Sequence, residues 1–393
     1  MLSETSRPVI EATLPVIGER IGEITKKFYA GMFAARPELL DGLFSRANQQ
    51  NGAQQKALAG SIAAFATHLV QHPESLPESV LSRIAHKHTS LGIQPEQYQI
   101  VFEHLFAAIA EDLGEAATDE VVTAWTEVYW LMADALVKIE KGLYAEQAND
   151  RIYAPWRLTS REAVGTDCVT FRFAPADDTA VTVAKPGQFV SIRLALADGL
   201  RQVRQYSLSD SVSSTTERVL TTKLDTGGEV SPFMHAALQV GDIVELSNPY
   251  GDITLDMEGG PIIIATAGIG CTPSASALQS LAELESERQV LVLHAEQRED
   301  NWALKEQMRS AVEALPNAEL KLWLEDVTTK SEDTTAAEGF MDLTGVELPD
   351  DARMYLCGPL PFMRAVRSQA IAAGIPATNI HYEVFGPDLW LAA

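Results

Sequence analysis

Residues 261–273 read PIIIATAGIGCTP. An apolar run without polar alternation predicts a strand buried on both faces, as in a parallel sheet covered by helices. The glycines after it predict a tight turn, and Pro273 a helix start. The same grammar recurs downstream in VLVLH (290–294), LKLWL (320–324), MYLCGP (354–359) and HYEVF (381–385), with helical stretches between them. Buried strands alternating with helices make residues 258–393 an α/β domain built on a parallel sheet.

Upstream the pattern changes. WRLTSREAV (156–164), CVTFRF (168–173), GQFVSIRL (187–194), YSLS (206–209), RVLTTKL (218–224) and IVELSNP (243–249) are short β-rich runs separated by Gly, Pro, Asp and Ser. Six such runs predict a small antiparallel β-barrel over 151–257. Before that, from residue 6 to about 147, apolar residues recur at helical spacing, with breaks near 37, 48–52, 72–77, 92–95 and 114–119. Residues 1–147 therefore read as an all-α domain of a half-dozen or more helices. No internal repeat is visible, and the one loose polar stretch lies around 328–338.

The 393 residues include 54 acidic and 30 basic side chains, a formal net charge of −24. Such a charge repels phosphate backbones and anionic lipid, so no nucleic-acid partner and no stable membrane insertion are expected. Cys168, Cys271 and Cys357 are too few and scattered for a disulfide framework or a cysteine-based metal cluster. No secretory leader pattern opens the chain, and a cytoplasmic protein is expected.

Three places carry chemistry. On a helix through 81–91, Leu81, Ile84, His88 and Leu91 share one apolar face, so His88 points inward and His86 is expected to face solvent. GGEVSPFMHAAL (227–238) reads as a glycine turn into a helix with Ser231 at the N-cap and Pro232 first, its free N–H groups suited to phosphate. AGIGCTP (267–273) places a glycine turn after a buried strand, where backbone can approach a pyrophosphate, although Pro273 replaces the third glycine of the dinucleotide fingerprint. Beyond VLVLH, Glu296 could accept from a ribose 2′-hydroxyl and Arg298 could receive a 2′-phosphate, which leaves NADH and NADPH both open.

FYAGMF (28–33), LFSRANQQNGAQQKAL (43–58), IAHKHTS (84–90) and PEQYQIV (95–101) together resemble the globin domain of flavohaemoglobins, and the resemblance continues in order through both later domains. It implies a globin fold holding haem b, with His88 as the proximal iron ligand, Glu140 as the carboxylate behind it and Tyr98 steadying that contact. On the other side of the haem it implies Tyr29 and Gln54 as donors to bound oxygen, with Leu58 and Phe44 packing nearby. RQYS (204–207) resembles the FAD seat of ferredoxin-reductase-like proteins. There Arg204 would pair with the pyrophosphate, Tyr206 would lie along the flavin and Ser207 would reach its reactive nitrogen. Gln188 of PGQF, Gln205, Gly227, Gly228, Val230 and Ser231 complete that set. For NAD(P)H the resemblance implies Gly268, Gly270, Thr272 and Pro273, and then Cys357, Gly358 and Pro359, Cys357 reading equally well as a small buried residue. Phe385 would stack over the flavin, while Lys87 and Glu383 would lie near the flavin–haem gap.

The activity so implied is nitric oxide dioxygenase: NAD(P)H reduces FAD, FAD reduces haem iron, and oxygen at the reduced iron converts nitric oxide to nitrate. The partners are the small molecules O2 and NO, and the chain would act as a monomer or a dimer. The alternatives are a haem-based O2 or NO sensor, and a flavin reductase of external acceptors such as ferric chelates, quinones or lipid hydroperoxides.

Overall fold

The structure, a computed structural model, describes residues 1–44, 46, 49 and 52–386. These form two compact units. One comprises Met1–Ile152, Arg193–Arg204 and, at the described end, Gly386; the other comprises Tyr153–Ile192 and Gln205–Phe385.

The first unit is helical: α1 Ser6–Ala35, α2 Ala53–Gln71, α3 Glu78–Leu91, α4 Pro95–Leu113 and α5 Asp119–Ala145. Local chemistry sets the ends. A capping box between Gln94 and Gln97, with Pro95 at the first position, opens α4. The Thr118 side chain accepts from Val121 N to open α5. Gly92, at φ +81°, ends α3 in a left-handed turn. Helix α1 packs on α2, α4 and α5, and α3 packs on α5. Ile10, Met32, Phe65 and Leu69 are fully buried at its centre, each stabilising by about 1.5–3 kcal/mol. Beside these five α-helices, the described residues Arg46 and Gln49 are helical, and Pro37–Leu40 and Gly114–Ala116 form 3-10 turns. Pro15 does not break α1, because it lies on the exposed face, where the freed carbonyl can meet water. Of the break expected at 48–52, Asn48, Gln50 and Asn51 lie outside the described residues, and Gly52 is the N-cap of α2.

All six expected barrel strands form: β1 Tyr153–Val164, β2 Cys168–Pro175, β3 Phe189–Ala195, β4 Arg201–Ser207, β5 Arg218–Lys223 and β6 Ile243–Ser247. Their order is β4-β3-β6-β1-β2-β5, and Leu208, just past β4, bridges to Leu220 of β5, so the sheet curls towards closure. Leu158, Phe171, Phe173, Ile192 and Leu220 fill its interior. Strand β4 begins earlier than the expected YSLS run, because the turn closed by Leu196 N to Leu200 O, with Gly199 at φ +83°, launches it at Arg201. RQYS therefore closes the strand.

The parallel sheet contains β7 Ile262–Ala267, β8 Val290–Glu296, β9 Ala318–Leu324, β10 Ala337–Glu338, β11 Arg353–Cys357 and β12 Ile380–Glu383 in the order β10-β9-β8-β7-β11-β12. The helices α6 Val230–Ala236, α7 Thr272–Glu283, α8 Lys305–Ala314 and α9 Leu360–Ala372 complete this unit. Strand direction of growth reverses at β7, so the loops after β7 and β11 meet at the carboxyl edge, where such sheets bind ligands. The stretch around 328–338 is not loose. Glu299, nearly fully buried, accepts from Ser331 N, Ser331 Oγ and Thr334 Oγ1, and Ala337 pairs with Trp323 as the start of β10. No helix among the described residues is long and apolar enough to cross a membrane.

Candidate functional site

His88 lies in the last turn of α3, and its Nδ1 is 2.9 Å from Glu140 Oε1 and 3.0 Å from the Tyr98 hydroxyl. Tyr98 O–H donates to the same carboxylate oxygen at 2.6 Å. Glu140 is only 2% exposed, so its two donors replace the water it gave up on burial. A carboxylate can only accept, which fixes the proton on Nδ1 and leaves the Nε2 lone pair available for a metal. That donor set fits one axial imidazole of a haem iron, oriented from behind by a carboxylate. Burial, followed by the neighbouring Glu140, pushes the Tyr98 hydroxyl far above the usual tyrosine range, so it stays protonated and donating.

Tyr129, on α5, was not anticipated: its hydroxyl donates to Tyr98 O at 2.6 Å and steadies the backbone behind the triad. It precedes Glu140 by eleven residues, about three helical turns, so the two share a face and the spacing carried the signal. His86, two residues before His88, is partly exposed.

Tyr29 is 4% exposed and sits among aromatic rings: Phe28 at 4.6 Å, Phe33 at 5.6 Å and Phe44 edge-on at 6.0 Å between centroids. Burial raises its hydroxyl well above the ordinary value, opposed by a side-chain hydrogen bond with Gln54 in the first turn of α2. The structure thus brings Tyr29, Gln54 and Phe44 together, with Leu58 half-buried against the same core. A neutral hydroxyl and an amide in a dry, aromatic setting can stabilise negative charge on a bound diatomic ligand. Lys87 Nζ donates to Gly386 O at 2.6 Å.

Along β4, Arg204 and Tyr206 are half-buried, Gln205 Nε2 donates to Ser191 Oγ at 2.9 Å, and Ser207 is buried. The Gln188 side chain accepts from Lys185 N at 2.8 Å, and its carbonyl accepts from Leu208 N, so the PGQF loop is tied to the end of β4. Gly187, at φ +98°, lies so close to Ile253 that a Cβ would stand 2.4 Å from that carbonyl oxygen. Two expectations about GGEVSP need correction. The helix starts at Val230 with Glu229 at the N-cap, because the Ser231 hydroxyl instead accepts from Asp225 N at 2.9 Å. The N–H groups of Gly227 and Gly228 are not free either, since they donate to Asp225 Oδ1 and O, both at 3.0 Å. The turn is an Asp225-centred loop.

At the carboxyl edge of the parallel sheet, the AGIG turn lies directly on the CGP segment. A Cβ on Gly270 would be 2.4 Å from Cys357 O and 2.8 Å from Gly358 Cα, so only glycine permits the contact. Thr272 and Pro273 open α7, and Pro359 caps α9. This arrangement fits a dinucleotide: a glycine turn, a helix start and a switch point in one place. Cys271 and Cys357 are buried, and burial pushes both thiols up, in keeping with inert packing. Glu383 pairs with Cys357 across β12 and β11, and the two, with Gly187, Pro273 and Tyr355, line a narrow cleft. Phe385, past β12, is 48% exposed. Glu296 ends β8 and is largely buried, while the Arg298 guanidinium is held by Asp300 through two 2.9 Å hydrogen bonds.

Family models match in the same order: globin over residues 26–136, oxidoreductase FAD-binding domain over 155–255 and oxidoreductase NAD-binding domain over 264–368. The flavohemoprotein of Chromobacterium violaceum is 38% identical over 404 residues, covering 98% of each chain. That of Rhizobium meliloti is 38% identical over 407 residues, covering 99% of this chain and 100% of its own. Among solved structures, the flavohemoglobin of Malassezia yamatoensis with bound FAD and heme superposes with a TM-score of 0.92 at 44% identity, over 98% of this chain and 100% of that one. The FAD/NAD-binding domain of nitric oxide dioxygenase from Vibrio cholerae O1 biovar El Tor gives 0.55 at 30% identity, over 60% of this chain and 99% of that one. A globin with a carboxylate-backed histidine, joined to flavin- and nicotinamide-binding modules along the full length of such relatives, makes this chain a member of the flavohemoprotein family, an oxidoreductase that carries electrons from nicotinamide through FAD to haem.

Proposed function

We propose that the chain is a nitric oxide dioxygenase, oxidising two nitric oxide molecules with two O2 to two nitrate ions while NAD(P)H becomes NAD(P)+ and a proton. When bound, haem supplies an iron that takes O2 and single electrons, and FAD splits the hydride pair of the nicotinamide into single electrons. The chain's own residues do the rest. His88 offers Nε2 while Glu140 and Tyr98 hold its Nδ1 proton, so the imidazole gains anionic character and pushes electron density towards the iron. Tyr29 and Gln54 offer hydrogen bonds to developing negative charge and keep water out with Phe28, Phe33 and Phe44. Arg204 would pair with the flavin pyrophosphate, Tyr206 would lie along its ring, and Gly268 and Gly270 would let backbone reach the nicotinamide pyrophosphate.

The observation that carries the reading is the buried Glu140 on His88 Nδ1, an arrangement suited to activating oxygen rather than storing it. The decisive experiment measures nitrate formed from NADH or NADPH, O2 and NO by the purified holoprotein, beside reduction of external acceptors, before and after His88→Ala. Nitrate formation that vanishes in the variant supports the dioxygenase. Physiological turnover that survives in it, with no nitrate from either protein, assigns the chain to reduction of external acceptors. Tyr29→Phe should speed O2 release and lower nitrate yield, and both quantities staying unchanged would remove Tyr29 from the site.

A further inference from the structure

The hairpin between β3 and β4 is fastened to the turn that follows the Pro37–Leu40 helix. Asp41 accepts from Arg201 three ways: from the backbone N–H at 2.8 Å, from Nε at 3.3 Å and from Nη2 at 2.7 Å. Gly42 N returns a hydrogen bond to Arg201 O at 2.9 Å. Beneath this pair Gln202 has no solvent exposure, and its amide reaches Leu40 O and Arg46 N, both at 3.3 Å. Arg46 also pairs with Asp198 in the hairpin turn. The Arg201 hydrogen bonds, foremost among several favourable contacts, hold the Asp41 carboxyl below its usual range.

Two features make this more than surface adhesion. A fully buried amide whose oxygen accepts from Arg46 N, and whose Nε2 donates to Leu40 O as well as to the adjacent Arg201 O, favours one register, because a slip would strip its oxygen of that remote donor. The fastened segments also lead directly to working parts. Three residues after Asp41 stands Phe44, edge-on to Tyr29. Three residues after Arg201, roughly 10 Å along the strand, stands Arg204.

We propose that Asp41, Arg201 and Gln202 are positioning residues for internal electron delivery, locking the Phe44 turn to the strand that presents Arg204 so that the donor and acceptor cofactors keep one separation. This rests on the reading that Phe44 packs on the haem and Arg204 holds the flavin. A misplacement of about 1 Å at a reacting pair can cost on the order of a hundredfold in rate, so loosening the clamp acts on transfer without touching either cofactor. The Asp41 and Arg201 side chains are about one-third and one-half exposed, so salt should weaken their part of the clamp but spare Gln202.

The test uses full-length holoprotein in anaerobic stopped-flow with NADH, following flavin reduction and haem reduction separately, for wild type, Asp41→Asn, Arg201→Gln and the charge swap Asp41→Arg with Arg201→Asp. Amide hydrogen exchange of peptides covering 39–46 and 196–203 reports whether the clamp is closed. We expect unchanged haem and FAD content, flavin reduction within twofold of wild type and haem reduction slowed tenfold or more. Exchange should rise together in both peptides, and the swap should recover part of each effect. Wild-type haem reduction in variants whose peptides exchange freely overturns the positioning role, and unprotected peptides in the wild type overturn the clamp itself. Wild-type holoprotein that reduces its haem yet makes no nitrate refutes the dioxygenase and leaves the clamp standing.

Discussion

Replacing Glu140 by Gln tests the carboxylate behind His88 with little change of shape. In the structure one oxygen of Glu140 receives both the His88 Nδ1–H at 2.9 Å and the Tyr98 O–H at 2.6 Å, and the side chain is 2% exposed. A hydrogen bond to a charged acceptor contributes about 1.5–3 kcal/mol and is roughly twice as strong as its neutral counterpart. Glutamine keeps an acceptor there but halves the interaction, a loss of roughly 0.75–1.5 kcal/mol at the histidine. The anionic partner favours ferric over ferrous iron, because the oxidised metal carries more positive charge. Its removal should therefore raise the haem midpoint potential by roughly 30–65 mV, since 59 mV corresponds to a tenfold change for one electron. The global cost should be small, because the desolvation penalty of a buried charge disappears with it. The assay is a spectroelectrochemical titration of the haem-loaded protein beside the wild type, with thermal unfolding as a control for folding. A midpoint within about 20 mV of wild type, in protein with full haem content and unaltered unfolding, would refute the argued role of Glu140.

Gly270→Ala should destabilise the unit holding the parallel sheet by about 1–3 kcal/mol, since the new Cβ meets the Cys357 carbonyl and Gly358 Cα, which are backbone and cannot swing aside. A fall in Tm of roughly 2–12 °C is expected with loss of NADH-driven flavin reduction, whereas Gly260→Ala, with open space around its Cβ, serves as the silent control. Burial alone would raise the Glu299 carboxyl, but hydrogen bonds from Thr334 and Ser331 and the charge of Lys305 bring it down to about 2. A depressed value means stability that is fully present above the unfolded pKa near 4.5 and is lost as pH falls towards 2, of the order of 3 kcal/mol. Glu299→Gln should therefore lower Tm near neutrality and converge with wild type near pH 2; a constant gap across that range would show that the carboxylate charge is irrelevant.

Much of the fold was legible because burial writes itself into composition. The run at 262–265 is apolar throughout because every one of its side chains is buried, and the barrel strands betrayed themselves by their turns. Helical spacing turned His88 towards the interior, while Glu140 and Tyr98 as its neighbours came from the resemblance and not from the spacing. What escaped depends on partners remote in sequence. Ser231 looks like an N-cap until Asp225 N claims its hydroxyl. The polar stretch around 328–338 looks loose until Glu299, some thirty residues earlier, collects its donors. Arg201 and Gln202 look like ordinary residues of an edge strand, and nothing local announces Asp41, 160 residues away, as a partner.

The contact between the AGIG and CGP segments is made of main chain on both sides. A floor built that way has no side chain to exchange, so drift in sequence cannot reshape it gradually; it is kept whole or lost. Any adaptation in the choice of reductant must then be written on the surrounding rim, at positions such as 296 and 298, where substitution alters charge and reach while the platform beneath stays the same.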